Sequence, residues 1–267
     1  FFFVMNSNNS SSNSSNNSSN NNNQPLKTLD KDEEDHVYRD ILTILRTLRP
    51  FSGFTSFEVL AYDAISHGLH HISPLINTHR ETLMSYPKLS FHYFALVRDL
   101  FYERTLPKVL SFPQSLQESL VHSIRFGVQH HDFSIARMCL ECICELTQFE
   151  ATSNLANSLN KLALQFFNVL LKKSIFQHLY KELIGLIADA IFPVLCKHKR
   201  ESMQVIEQII HQSKTQPNQK RLSKAFTQLL HHSSIQWQPQ SQQAKQRFQP
   251  IFCDFLTQVR AFSYSQT

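Results

Sequence analysis

Glycine is nearly missing from this 267-residue chain: only Gly53, Gly68, Gly127 and Gly185 occur. So few glycines exclude phosphate-cradling loops and a framework of tight β-turns. Catalytic motifs are missing too. No serine stands in a nucleophile elbow, no HExxH occurs, and no glycine-rich loop opens a helix, so no catalytic or cofactor-binding residue can be named. No stretch is apolar for the length of a membrane span, since the longest apolar region, Leu179 to Leu195, is broken by Lys181, Glu182 and Asp189. Cysteine is sparse and odd in number: Cys139, Cys142, Cys144, Cys196 and Cys253. Such usage predicts reduced thiols, as in the cytosol or nucleus, rather than a disulfide framework.

What is present falls into two parts. Asn6 to Asn23 is eighteen residues of asparagine and serine alone, with no apolar surface to offset the entropy of ordering it. Residues 1–29 are therefore expected to be a disordered Asn/Ser-rich tail. Three phenylalanines and Val4 precede Met5, which suggests an incomplete gene model or a piece of a longer chain. Residues 30–267 form the folded part, opened by the acidic run Asp30 to Asp35 and long enough to bury a sizeable core.

Across Val37 to Phe262 the apolar residues recur at helical spacing. Val37, Ile41, Ile44, Leu45 and Leu48 share one face, and Pro50 is expected to end that helix. Ser56 can cap a second helix with the stripe Phe57, Leu60, Ala61, Ala64, Gly68 and Ile72, which Pro74 should break. A short helix reaches Met84. Pro87 then suits the first turn of a helix carrying Leu89, Tyr93, Leu96, Val97 and Leu100, and Pro107 and Pro113 should bracket a loop. Leu116, Leu120, Ile124, Gly127 and Val128 form the next face, and Asp132 can cap a helix bearing Ile135, Met138, Cys139, Cys142, Ile143 and Leu146. Further stripes are Leu155 to Leu170, Phe176 to Ala190, Met203 to Ile210, Leu222 to Leu229 and Phe248 to Phe262.

Taking Leu116, Leu155 and Met203 as starts of successive hairpins, the spacing is 39 and then 48 residues. HEAT and armadillo units have about this period. The expected fold is all-α, a HEAT-type α-solenoid, a shape that binds proteins far more often than it performs chemistry.

The Cys139-x-x-Cys142-x-Cys144 cluster, with His130 and His131 upstream, is the sharpest local signal. A zinc knuckle of this spacing lies in a turn, whereas Cys139 and Cys142 share a buried helical stripe, so these thiols are expected to be core and not metal ligands. The adjacent pairs His70–His71, His130–His131 and His231–His232 cannot chelate from one helix face, because neighbouring residues point about 100° apart. They are expected near helix ends, bonding free carbonyls. Between Cys196 and Lys224 seven basic residues meet only Glu201 and Glu207, an excess equal to the net charge of +5 of the whole chain. Without interleaved aromatics this stretch points to a solvated face or a protein-binding rim, not to nucleic acid. Trp237, in the Gln/Ser-rich linker Ser233 to Gln243, is expected to pack.

Several segments carry a resemblance in their order and spacing: Tyr86 to Val97 (YPKLSFHYFALV), Leu106 to Pro113 (LPKVLSFP), Leu116 to Val128, Cys139 to Glu141, Gln219 to Phe226 (QKRLSKAF) and Phe255 to Phe262 (FLTQVRAF). Together, from about Val59 to Phe262, they resemble the C-terminal repeats of the exportin-4 family, nuclear transport receptors of the importin-β superfamily. The resemblance implies HEAT repeats, binding of Ran-GTP together with a protein cargo, contact with Phe-Gly nucleoporins, and shuttling between nucleus and cytoplasm, with no direct nucleic-acid contact and no membrane insertion. It implies no enzyme activity and no cofactor, and it carries over no individual contact residue. A HEAT-repeat scaffold unrelated to nuclear transport is the alternative.

Overall fold

A computed structural model describes residues 31–263 apart from 54–57, 79, 103, 151–152, 178–179, 214, 234, 236 and 240. The side chains of 31–34, 53, 58–59, 77, 80, 83, 153–158 and 262–263 also lie outside the description. So do the expected tail over 1–29, the Ser56 cap, Phe57, Leu179, Lys214, and the side chains of Leu155 and Phe262.

Every regular element among the described residues is helical. In chain order they are α1 (Lys31–Leu48), a 3-10 turn (Arg49–Gly53), α2 (Glu58–Thr78), α3 (Arg80–Ser85), α4 (Pro87–Leu100), α5 (Leu106–Val109) and α6 (Gln114–Val128). There follow α7 (Phe133–Gln148), α8 (Ser153–Phe176), a second 3-10 turn (Lys181–Leu183), α9 (Ile184–Lys197), α10 (Lys199–His211), α11 (Gln216–Leu230) and α12 (Gln242–Ser263).

The helices stack in the order of the chain. α1, α4, α7, α9 and α12 lie side by side as one layer. On the other side α2 packs on α1 and α6, α6 on α4 and α7, and α8 on α7, α9 and α10. Among the described residues the main contacts join neighbouring units, which is the mark of an α-solenoid. The hairpins predicted from spacing are α6–α7 and α8–α9. The longer second interval arises because α8 has 24 residues where α6 has 15. The last turn of the stack holds three helices, with α11 and α12 packed on each other after α10.

Local rules explain most boundaries. Pro87 occupies the first turn of α4, where its missing N–H costs no hydrogen bond. Asp132 caps α7: its carboxylate accepts from the N–H of Ser134 at 2.7 Å and of Ile135 at 3.3 Å. The stripes of α4, α6 and α7 are buried at every expected position. Deep in the stack the Tyr93 hydroxyl and Ser123 Oγ lie 2.8 Å apart, which satisfies two polar groups that burial would otherwise penalise.

Prolines read as breakers were over-weighted. Pro74 lies inside α2, and the expected loop between Pro107 and Pro113 begins with the one-turn helix α5 before it runs irregularly over residues 110–113. Pro193, near the end of α9, and Pro250, in α12, lie within stripes that the helical spacing already runs through. A helix with one face buried in neighbours survives the loss of a single backbone bond. Phe176 ends α8 and is exposed, so it does not start the next stripe. In α2 the buried line is Ala61, Tyr62, Ile65, Leu69, Ile72 and Ile76, while Leu60 is 69% exposed and Ala64 is exposed. Ile44 is also exposed, and the outward face of α1 is otherwise Arg39, Asp40, Thr43, Arg46 and Thr47.

A further device ties one unit to the next. The carbonyls that end a helix lack partners within it. Lys173 of α8 donates to the Val128 carbonyl ending α6. Lys197 of α9 donates to the Thr147 and Gln148 carbonyls ending α7, each at 3.3 Å. Arg260 Nε of α12 donates to the Ser174 carbonyl near the end of α8 at 3.0 Å. Each cation also meets the negative end of a helix dipole.

Candidate interaction surfaces

The cysteine cluster is part of the core. Cys139, Cys142 and Cys144 are buried free thiols on α7. Gly127 of α6 leaves the space that Cys139 needs: a Cβ built there would stand 2.2 Å from Cys139 Sγ and 2.6 Å from Phe94 Cε1. Cys144 Sγ donates to the Leu186 carbonyl of α9 at 3.3 Å. Burial pushes all three thiols well above the ordinary range, which disfavours the thiolate that metal binding or nucleophilic attack requires. Among the described residues no group of three or more histidine, cysteine or carboxylate side chains is placed to hold a metal.

The histidine pairs take different roles. His130 and His131 stack with ring centroids 4.3 Å apart, and His130 Nδ1 accepts from the Asp132 N–H at 3.0 Å at the α6–α7 turn. Burial and then His131 lower the pKa of His130, partly offset by a backbone hydrogen bond with Met84. His231 and His232 follow the end of α11, as expected. His70 and His71 are not at a helix end, because α2 continues to Thr78. His71 instead meets His67, four residues earlier and one turn away, with Nε2 atoms 3.2 Å apart. The i, i+4 spacing is the sequence signal of this pair, and it differs from that of the adjacent pairs.

Two grooves open on seams between helices. One, of roughly 600 Å³, runs between α11 and α12 and is lined by Leu229, His231, Ile251, Asp254, Phe255 and Gln258 among others. The other, of roughly 340 Å³, lies where α7, α8 and α9 converge, beside Phe149, Glu150, Leu159, Ala163, Lys197 and His198. There burial lowers the pKa of Lys197, which Glu150 partly opposes, and burial lowers that of His198. Neither groove brings a nucleophile, a base and an orienting group together in the manner of a catalytic site.

The basic stretch divides by task. Lys197 is spent on the end of α7, whereas Lys199, Arg200, Lys220, Arg221 and Lys224 are exposed along α10 and α11. Composition did not reveal where two further cations are spent. Lys245 is 7% exposed and donates to Gln148 Oε1 at 2.7 Å, and Arg260 reaches Ser174. Trp237 packs as expected, stacked on Phe192 with centroids 5.9 Å apart, yet remains 37% exposed. Among the described residues no helix is long and apolar enough to cross a membrane.

Known proteins give this architecture a family. The family model described as Exportin-4 matches residues 8–264. Exportin-4 of Dictyostelium discoideum is 30% identical over 123 residues, which is 46% of this chain and 10% of that relative. The match thus spans about a tenth of the relative's length. Stacked helical hairpins, the ordered segments from Val59 to Phe262, and a family match running through all twelve α-helices lead to one conclusion: the chain belongs to the exportin-4 family.

Proposed function

We propose that this chain acts as a C-terminal segment of a nuclear export receptor, one that binds a protein cargo together with Ran-GTP and carries it through the nuclear pore. The observation that carries this reading is the family match over residues 8–264. Exportins are transport receptors and not enzymes, and a solenoid whose grooves lie on helix seams supports a binding role. Ran-GTP and cargo bind with positive coupling, so hydrolysis on Ran releases both. The α11–α12 groove, with Ile251 and Phe255 beside Leu229, suits a small aromatic side chain of the Phe-Gly type. The exposed cations of α10 and α11 serve as a protein-binding rim, with no direct nucleic-acid contact. Residues 30–267 act as one helical domain. The protein shuttles between nucleus and cytoplasm.

A receptor of this kind grips its ligands with repeats spread along its length, so this segment alone holds neither tightly. The test compares the full-length receptor with residues 30–267 in pull-downs with Ran-GTP, Ran-GDP and Phe-Gly peptides. The full-length receptor is expected to retain Ran-GTP over Ran-GDP and to bind the peptides. The segment alone is expected to lose Ran. A full-length protein that binds neither Ran-GTP nor the peptides would leave the scaffold reading in its place. Retention of Ran-GTP by the segment alone at sub-micromolar concentration would put a complete Ran site within these helices.

A further inference from the structure

The exposed face of α2 carries Leu60, Ala64, His67, His71 and Leu75, none of them covered by a neighbouring helix. In its middle the imidazoles of His67 and His71 meet with Nε2 atoms 3.2 Å apart and rings inclined at 79°. We propose that His67 and His71 form a bidentate site for a borderline divalent ion of the Zn²⁺ or Cu²⁺ class, joined through their two Nε2 atoms.

The argument is one of span. An imidazole nitrogen sits about 2.0–2.1 Å from zinc. Two such ligands at right angles lie about 2.9 Å apart, and at the tetrahedral angle about 3.3–3.4 Å. The observed separation falls between these values, so turning the two rings until their lone pairs meet at one point seats an ion without moving the helix backbone. Histidines at i and i+4 stand one above the other on a helix, which fixes the bite. Because Pro74 does not end α2, the pair sits inside the helix and its backbone register is held from both sides.

Without an ion one Nε2–H donates to the other Nε2. Chelation needs both lone pairs, so the donor ring moves its proton from Nε2 to Nδ1 and no net proton leaves the pair. Zn²⁺ or Cu²⁺ suits imidazole nitrogen, and the Irving–Williams order places Cu²⁺ above Zn²⁺. Among the described residues no third histidine, cysteine or carboxylate joins the pair, so the remaining positions fall to water. Affinity is correspondingly modest. This site owes nothing to the sulfur cluster of α7, and it stands whether or not the chain serves transport.

The experiment is a calorimetric titration of the full chain with CuCl₂, and separately with ZnCl₂, in a buffer that does not coordinate metal. It is run on the native protein and on His67→Gln, His71→Gln and His70→Gln. The native chain and His70→Gln are expected to bind one more equivalent than either of the other two, with Cu²⁺ tighter than Zn²⁺. Ion-induced thermal stabilisation is expected in the first two proteins and not in the last two. These exposed substitutions leave the helical circular-dichroism spectrum unchanged, so a lost site is not a lost fold. Equal stoichiometry in the native chain and in both His67→Gln and His71→Gln would overturn the proposal. Loss of the equivalent in His70→Gln alone would do the same.

Discussion

α7 and α2 are both amphipathic helices with apolar stripes, yet they stand at opposite extremes of constraint. α7 packs against α4, α6, α8 and α9, and every expected stripe residue from Ile135 to Leu146 is buried. α2 packs on α1, α3, α6 and the 3-10 turn, and it leaves Leu60, Ala64 and Leu75 in solvent. A helix surrounded by neighbours has a wide buried sector, so a stripe placed a residue off still lands inside it. A helix held from one side has a narrow sector, and there the same error exposes a leucine. Tight packing and sequence legibility therefore go together in this stack.

The sharpest test of this contrast uses two helical glycines that stand close against a neighbour, Gly127 and Gly68. Gly127→Ala gains helix propensity of about 1 kcal/mol but drives its methyl into Cys139 Sγ and the Phe94 ring, both in the crowded centre. A net loss of about 2 kcal/mol is expected in denaturant unfolding. At Gly68 the added methyl meets Leu48 Cδ1 at 2.6 Å, the swinging end of one side chain, and Gly68→Ala should be near neutral. Equal costs at the two positions would erase the distinction.

Thiol chemistry gives the next largest effect. Cys142→Ala should cost about 1 kcal/mol, as a small packing defect does. In the native chain a thiol-alkylating reagent should modify the exposed Cys253 first. Cys196, half-buried with its pKa pushed up to about 12, should follow slowly, and the three α7 thiols should react only on unfolding. Early labelling of Cys139, read by peptide mass spectrometry, would show that the centre opens as easily as the edge.

Acid should act more gently. His92, His130 and His198 all have pKa values lowered below 6.5, chiefly by burial; Arg46 and Arg49 add to the effect at His92. The folded state binds these protons less readily than the unfolded chain. Stability is therefore full above the unfolded value and falls as the pH drops through the folded values. The thermal midpoint should fall between about pH 7 and about pH 5, and His130→Gln should flatten that dependence. A midpoint that rises on acidification would contradict the burial of these rings.

The smallest effect is expected on the open face of α2. Leu60→Gln should change stability by no more than about 0.5 kcal/mol, against several for a leucine of α4 such as Leu96 cut to alanine. A large cost at Leu60 would mean that this face is covered in solution.

Local sequence was enough to show that the chain is helical, where most helices begin and which faces of α4, α6 and α7 are buried. Helical period, the Asp132 cap and the first-turn Pro87 are local properties, legible in a few consecutive residues. The hairpin spacing and the ordered segments from Val59 to Phe262 pointed to the solenoid and its family. Pro74 was settled by tertiary packing, because a helix docked along one face tolerates a missing bond that would end it in isolation. Only tertiary structure could join Lys173 to Val128, Lys197 to the end of α7 and Arg260 to Ser174. Such contacts span tens of residues, and their partners are backbone carbonyls, which every residue carries and no composition reveals. The seam grooves were unreadable for the same reason, since each exists only once separate helices have been stacked.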